Sequence, residues 1–140
     1  MELLRLMVPK ADDIAVSEID EVLSGLSQRS IEAALIGDDP LLFQRREQIV
    51  NKLTAQSIPA IYFERGFVAS GGLMSYGASL VAGYRQVGLY VGAILKGAKI
   101  SELPVIQPNT FTLAVNLRAA RAIGLTIPVS VLVAADEVIE

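Results

Sequence analysis

The chain has 140 residues, a net charge of −3, 52% hydrophobic and 19% charged residues, and neither Cys nor His. Without Cys or His it offers no thiol nucleophile, disulfide, Cys/His zinc site or His-based triad. Its basic residues are dispersed, only Arg45 and Arg46 being adjacent, so there is no electrostatic footprint for nucleic acid. Mean hydropathy is +0.48, which raises the question of a membrane span. The longest uncharged run, Gly66–Tyr84, holds five glycines and three serines, with Gly71-Gly72 breaking it as a helix. The apolar excess fits a sheet buried on both faces, or an apolar surface meant for a partner.

In chain order, Leu3–Val8 is a short apolar run that Pro9 closes, and it predicts a strand. Ser17, with Asp20 three residues on, reads as the cap of a helix whose inward face is Ile19, Val22, Leu23 and Leu26. Ala33–Gly37 predicts a buried strand. Asp39-Pro40 then supplies a capping acid and a proline at the first helical position. The helix so opened runs to about Gln56, with Phe43, Ile49, Val50 and Leu53 inward and Arg45, Arg46, Glu47 and Lys52 outward. Pro59–Phe63 is the next strand, followed by a turn of helix to Ser70 that Gly71 ends, and Gly72–Tyr76 is strand-like. Ser79 caps the longest helix, with Leu80, Val81, Tyr84, Val87, Val91, Ile94 and Leu95 on its apolar side and Gly97 as its stop. Ile100–Pro108 is a connector and Thr110–Val115 a strand. Asn116 caps a short helix that Gly124 ends, and Ile127-Pro128 leads into a last one. Strands separated by helices predict one α/β domain over residues 1–140, a three-layer sandwich with a mostly parallel sheet.

In such a sheet ligands sit beyond the C-terminal strand ends. Asp38 and Asp39, Glu64, and Ser75 with Tyr76 stand at three of those ends, so these five are the candidate ligand-binding residues. Each has a plainer reading: Asp39 as a helix cap, Glu64 as a solvated loop acid, Tyr76 as a core residue with a tied hydroxyl. Adjacent Asp38 and Asp39 diverge in direction and no third oxygen ligand stands at a recognisable spacing, so no metal or cofactor is expected. The stretch ASGGLMSYGASL, Ala69–Leu80, carries GG-x-x-x-x-G, which matches no phosphate-loop fingerprint. Nothing identifies a catalytic apparatus, and the residues point to binding rather than to an enzyme.

Several motifs in one order carry a resemblance: PAIY at Pro59–Tyr62, GGLMSYG at Gly71–Gly77, ILKGAK at Ile94–Lys99, ELPV at Glu102–Val105, NLRAARAIGLTIP at Asn116–Pro128 and ADEVIE at Ala135–Glu140. The chain resembles the substrate-binding component of ABC importers, in the group related to tryptophan/tyrosine-binding proteins, from about Ala33 to Glu140. That resemblance implies the C-terminal lobe of a two-lobed periplasmic binding protein of type I fold, without the first lobe and without the export signal. Met1–Lys10 lacks the basic start, apolar core and cleavage site of such a signal.

By the family template, segment 71–77 is a hinge-crossing strand, helix 79–97 packs on the first lobe, and Thr110–Val115 returns. The family captures a small-molecule solute, an amino acid or a related compound, and hands it to an ABC permease outside the cytoplasm. Asp39 would face the solute, Ser75 and Tyr76 the hinge rim, and Glu64 the cleft mouth. Amino-acid-binding relatives often show Thr-Asp-Asn where this sequence has Asp38-Asp39-Pro40. For the chain alone, a face made for another lobe implies a homodimer through helix 79–97 and loss of solute capture. The same fold also serves as the sensor domain of transcription regulators and receptors, which an upstream helix-turn-helix would mark.

Overall fold

A computed structural model of the chain describes residues 3–6, 16–26 and 31–140. Among the described residues, six strands form one sheet in the order β1 (Leu3–Leu6), β2 (Ala33–Ile36), β3 (Ala60–Tyr62), β4 (Met74–Ala78), β5 (Phe111–Asn116) and β6 (Glu137–Ile139). The first four pair in parallel, β4 and β5 run antiparallel, and β5 and β6 are parallel again. The connections hold α1 (Val16–Ser24), α2 (Pro40–Gln44), α3 (Arg46–Ala55), α4 (Arg65–Ala69), α5 (Leu80–Leu95), α6 (Leu117–Ala122) and α7 (Val129–Ala134).

Strand alternation sends neighbouring side chains to opposite faces. Ala34 and Ile36 of β2 and Ala60 and Tyr62 of β3 join Leu23, Leu42, Ile49, Leu53 and Phe67 in one apolar core, so α1 to α4 cover that face. Ile61, one residue from Tyr62, points the other way and pairs with Met74, which pairs in turn with Val115. Met74 and Val115 belong to a second core with Ala119, Ala120, Val131 and Leu132 of α6 and α7. The sheet is therefore an α/β sheet with helices on both faces. Tyr62 stacks on Phe67 at 4.6 Å, and burial holds its phenol well above the ordinary tyrosine range, so it is neutral throughout the physiological range.

Local stop signals act as their chemistry requires. Gly71, Gly97 and Gly124 all have positive φ, at 100°, 98° and 73°, and each ends a helix. Ser79 Oγ accepts from Ala82 N, and buried Asn116 accepts from Ala119 N while its amide donates to Val68 O on α4.

Other expectations are corrected. The helix from Pro40 breaks at Arg45 (φ −98°, ψ 13°) into α2 and α3. Phe43, expected inward, is exposed at the end of α2, edge-on to Phe67 at 5.9 Å, with the Arg46 guanidinium 4.8 Å over its ring. Arg46, expected outward, folds back to donate to Ser70 Oγ. Strand β4 starts at Met74 rather than Gly72, because Gly72 N still donates to Phe67 O in the helix stop. α1 begins at Val16, so Ser17 lies inside it, and Val8 falls outside the described residues. β6 is an additional strand.

Segment 79–110 leaves the sheet between β4 and β5, and Ser79 N donates to Thr110 O at its neck. No residue from Ala78 to Leu113 is buried. Val81, Tyr84 and Leu95 of α5 are 75%, 74% and 82% exposed. Gly83, Gly88 and Gly92 stand within that helix, and a Cβ on any of them would meet nothing within 4 Å. Among the described residues, no helix is long and apolar enough to cross a membrane.

Two substitutions test this account. A Cβ on Gly77 would lie 1.8 Å from Phe63 O, so Gly77→Ala should cost at least about 2 kcal/mol in urea unfolding. Ser57 has φ 55° at the end of α3, and Ser57→Gly should stabilise by about 0.5–1 kcal/mol, read as a rise in Tm of about 2–4 °C.

Candidate functional site

The C-terminal ends of β2, β3 and β4 open on one rim, and two adjoining clefts lie along it. The first, of about 440 Å³, is walled by Gly37–Pro40, Phe43, Phe63, Glu64 and Phe67, with Leu80 and Pro108 from the excursion. The second, of about 340 Å³, lies over β4 and β5 on Ser75, Gly77 and Ala114, and is walled by Arg65, Asp136 and Glu137. Phe63, Glu64, Ala78 and Leu80 line both, so the clefts adjoin.

Helix capping places the acids. Asp39 Oδ1 accepts from Leu41 N at 2.7 Å and Leu42 N at 3.3 Å, closing the N-terminus of α2 behind Pro40. Glu64 Oε2 accepts from Gly66 N at 2.6 Å and does the same for α4. A Cβ on Gly66 would come within 2.5 Å of Glu64 Oε2 and 2.6 Å of the Phe43 ring, so any larger residue there would push these two side chains aside. The rim thus sets two capped helix starts and the Phe43, Phe63 and Phe67 rings around one opening. Among the described residues, no group of three or more acidic residues is arranged to hold a metal ion.

Four of the five expected residues come together here. Asp38, Asp39 and Glu64 line the first cleft, and Glu64 and buried Ser75 line the second. Tyr76 lines neither: alternation along β4 turns it to the opposite face, where it stacks on Phe111 at 5.7 Å and stays half exposed.

The sequence reading missed Arg65 and Glu137. Arg65 Nε and Nη2 donate to Glu137 Oε2 and Oε1, both at 2.6 Å, in a bidentate fork. Arg65 was visible only as the neighbour of Glu64, and Glu137 reaches it because β6 adds to the sheet beside β5. Next to it, Asp136 N donates to Leu113 O and Asp136 Oδ2 accepts from Leu113 N, which fixes the start of β6.

The hydrogen bonds and charge of Arg65 hold the Glu137 carboxyl below its ordinary value and raise that of the guanidinium. A carboxyl lowered in the folded state contributes fully above its ordinary value near 4.5, and that contribution disappears as pH falls through the folded value. Both groups are exposed, so the contribution is at most about 1 kcal/mol. Glu137→Gln should therefore lower stability slightly at pH 6, and the difference should shrink as pH is lowered below the ordinary carboxyl value, measured by urea unfolding across the acid range.

A family model described as "ABC transporter substrate binding protein" matches residues 1–139. No curated protein is significantly similar in sequence. Among solved structures, a conserved domain protein from Vibrio cholerae superposes with TM-score 0.78 at 22% identity, covering 87% of this chain and 41% of that one. An ABC domain in complex with L-Trp from Streptococcus pneumonia gives 0.78 at 26% identity, covering 88% and 42%. A ligand-free, open substrate binding protein with adhesive properties from Clostridium difficile gives 0.60 at 24% identity, covering 83% and 39%. The chain spans less than half the length of these structures.

Proposed function

Because this chain belongs to the ABC transporter substrate binding protein family, we propose that it forms one lobe of a two-lobed protein that closes over a small solute and passes it to an ABC permease. One observation carries the reading. The parallel strand ends open two adjoining clefts beside the antiparallel pair that takes the chain out of the sheet and back. In this reading β4 and β5 are hinge strands, with segment 71–77 crossing between lobes. The excursion they carry, helix 79–97 included, packs on the other lobe. The exposed Val81, Tyr84 and Leu95 and the open glycines of α5 support a close-packed partner surface, since monomers rarely leave so large an apolar patch wet.

The protein captures and releases its solute without chemistry, and it works outside the cytoplasmic membrane as an importer component. Asp38, Asp39, Glu64 and Ser75 are the solute-facing polar residues of this lobe, Asp39 and Glu64 through the carboxylate oxygen that the caps leave over. Tyr76 acts at the hinge rim, on the face away from the clefts. The L-Trp complex of a structural neighbour supports an amino acid or a related compound as the solute.

The chain alone offers half of the closed site and captures no solute tightly. Titration calorimetry with L-tryptophan at micromolar concentration should give no binding heat. The same compound at millimolar concentration should shift the Leu41 and Gly66 amide resonances. A micromolar Kd would contradict the one-lobe reading, and unmoved amides would remove the clefts as its solute site.

In the absence of a second lobe, two copies cover each other through helix 79–97. Burying several hundred Å² of apolar surface contributes on the order of several kcal/mol at roughly 25 cal/mol per Å². Light scattering at tens of micromolar should show a dimer, and Val81→Glu with Tyr84→Glu should return a monomer. A clean wild-type monomer would contradict the pairing.

A further inference from the structure

The described residues that line the two clefts include five carboxylates, Asp38, Asp39, Glu64, Asp136 and Glu137, and one cation, Arg65. Among the described residues that line the clefts, that guanidinium is the only cationic partner for a solute anion. Its fork is already filled by Glu137, with both contacts at 2.6 Å, but the two side chains are 54% and 36% exposed. An ion pair so open to water is worth little, so exchanging one carboxylate for another on the fork costs little. The backbone of β6 does not depend on that pair. Asp136 is tied to Leu113 through both its N–H and its carboxylate, so Glu137 can release Arg65 while the strand stays in place. Planar, bidentate donation is the geometry that distinguishes a carboxylate from a hydroxyl or an amide.

We propose that Arg65 is the residue by which this lobe selects a carboxylate on its solute, Glu137 being a place-holder that the solute carboxylate displaces from the fork. The adjoining cleft, with Asp38, Asp39 and Glu64 beside the Phe43 and Phe63 rings, takes the cationic and apolar part of the same molecule. The solute class is then a zwitterion with an apolar body, and this inference rests on the clefts being the solute site.

The test compares L-tryptophan with tryptamine, which lacks the carboxylate, each titrated at millimolar concentration into the isotope-labelled chain. The Leu41 amide reports occupancy of the acidic cleft, and the Arg65 Nε–H resonance reports the fork. L-tryptophan should move both, and tryptamine the Leu41 amide alone. Glu137→Gln should tighten L-tryptophan by about threefold to fivefold and leave tryptamine no tighter. Arg65→Gln should lower L-tryptophan to the affinity of tryptamine, with an otherwise unchanged amide spectrum showing that the fold is kept. L-tryptophan moving Leu41 but not Arg65, or unimproved L-tryptophan affinity in Glu137→Gln, would overturn the role of Arg65 and leave the solute site standing. No movement of either resonance with either compound would overturn the solute site and this inference together.

Discussion

The closure of β4 against β3 at Gly77 is the constraint on which the rest depends. The Phe63 carbonyl comes so near that residue 77 has no room for a side chain, and at that point β4 can continue past the end of β3. Its other edge is taken by β5, running the opposite way from Phe111 to Asn116. Two strands that pair side by side, yet are separated in sequence by residues 79–110, hold the base of a long excursion shut. The hydrogen bond from Ser79 N to Thr110 O marks that base. No residue from 79 to 110 is buried or belongs to either core.

That geometry also makes the clefts. Parallel β2, β3 and β4 deliver Asp38-Asp39, Glu64-Arg65 and the start of α5 to one end of the sheet, while antiparallel β5 and β6 bring their own starts, with Asp136 and Glu137, to the same end. An all-parallel sheet would put the start of β6 at the other end and leave Arg65 without its partner. The meeting of Glu137 with Arg65 at this rim thus follows from one reversal of strand direction.

What was legible in the sequence was local. Asp39-Pro40, Gly71, Ser79, Gly97, Asn116 and Gly124 act within one turn of themselves, and each caps or stops a helix as its chemistry demands. Asp38, Asp39, Glu64 and Ser75 could be placed near one rim from the parallel-sheet rule alone. Contacts across long sequence separations were not legible. The antiparallel pairing of β4 and β5, the added β6 and the Arg65–Glu137 fork are set by tertiary pairing, to which no local pattern points. The facing of Tyr76 and Phe43 was not legible for a related reason: it turns on strand register and on a break at Arg45, and one residue of error exchanges inside for outside. The apolar side of α5 was read as a face needing cover, and the helix has no buried residue.

The central claim is that segment 79–110 is an interface carried on hinge strands. Amide hydrogen exchange across Leu80–Leu95, followed as the chain is diluted from tens of micromolar to well below one micromolar, tests it most directly. Exchange in α5 should quicken on dilution, while amides of β2 and β3 keep their rates. Rates in α5 that do not change with concentration would contradict the claim.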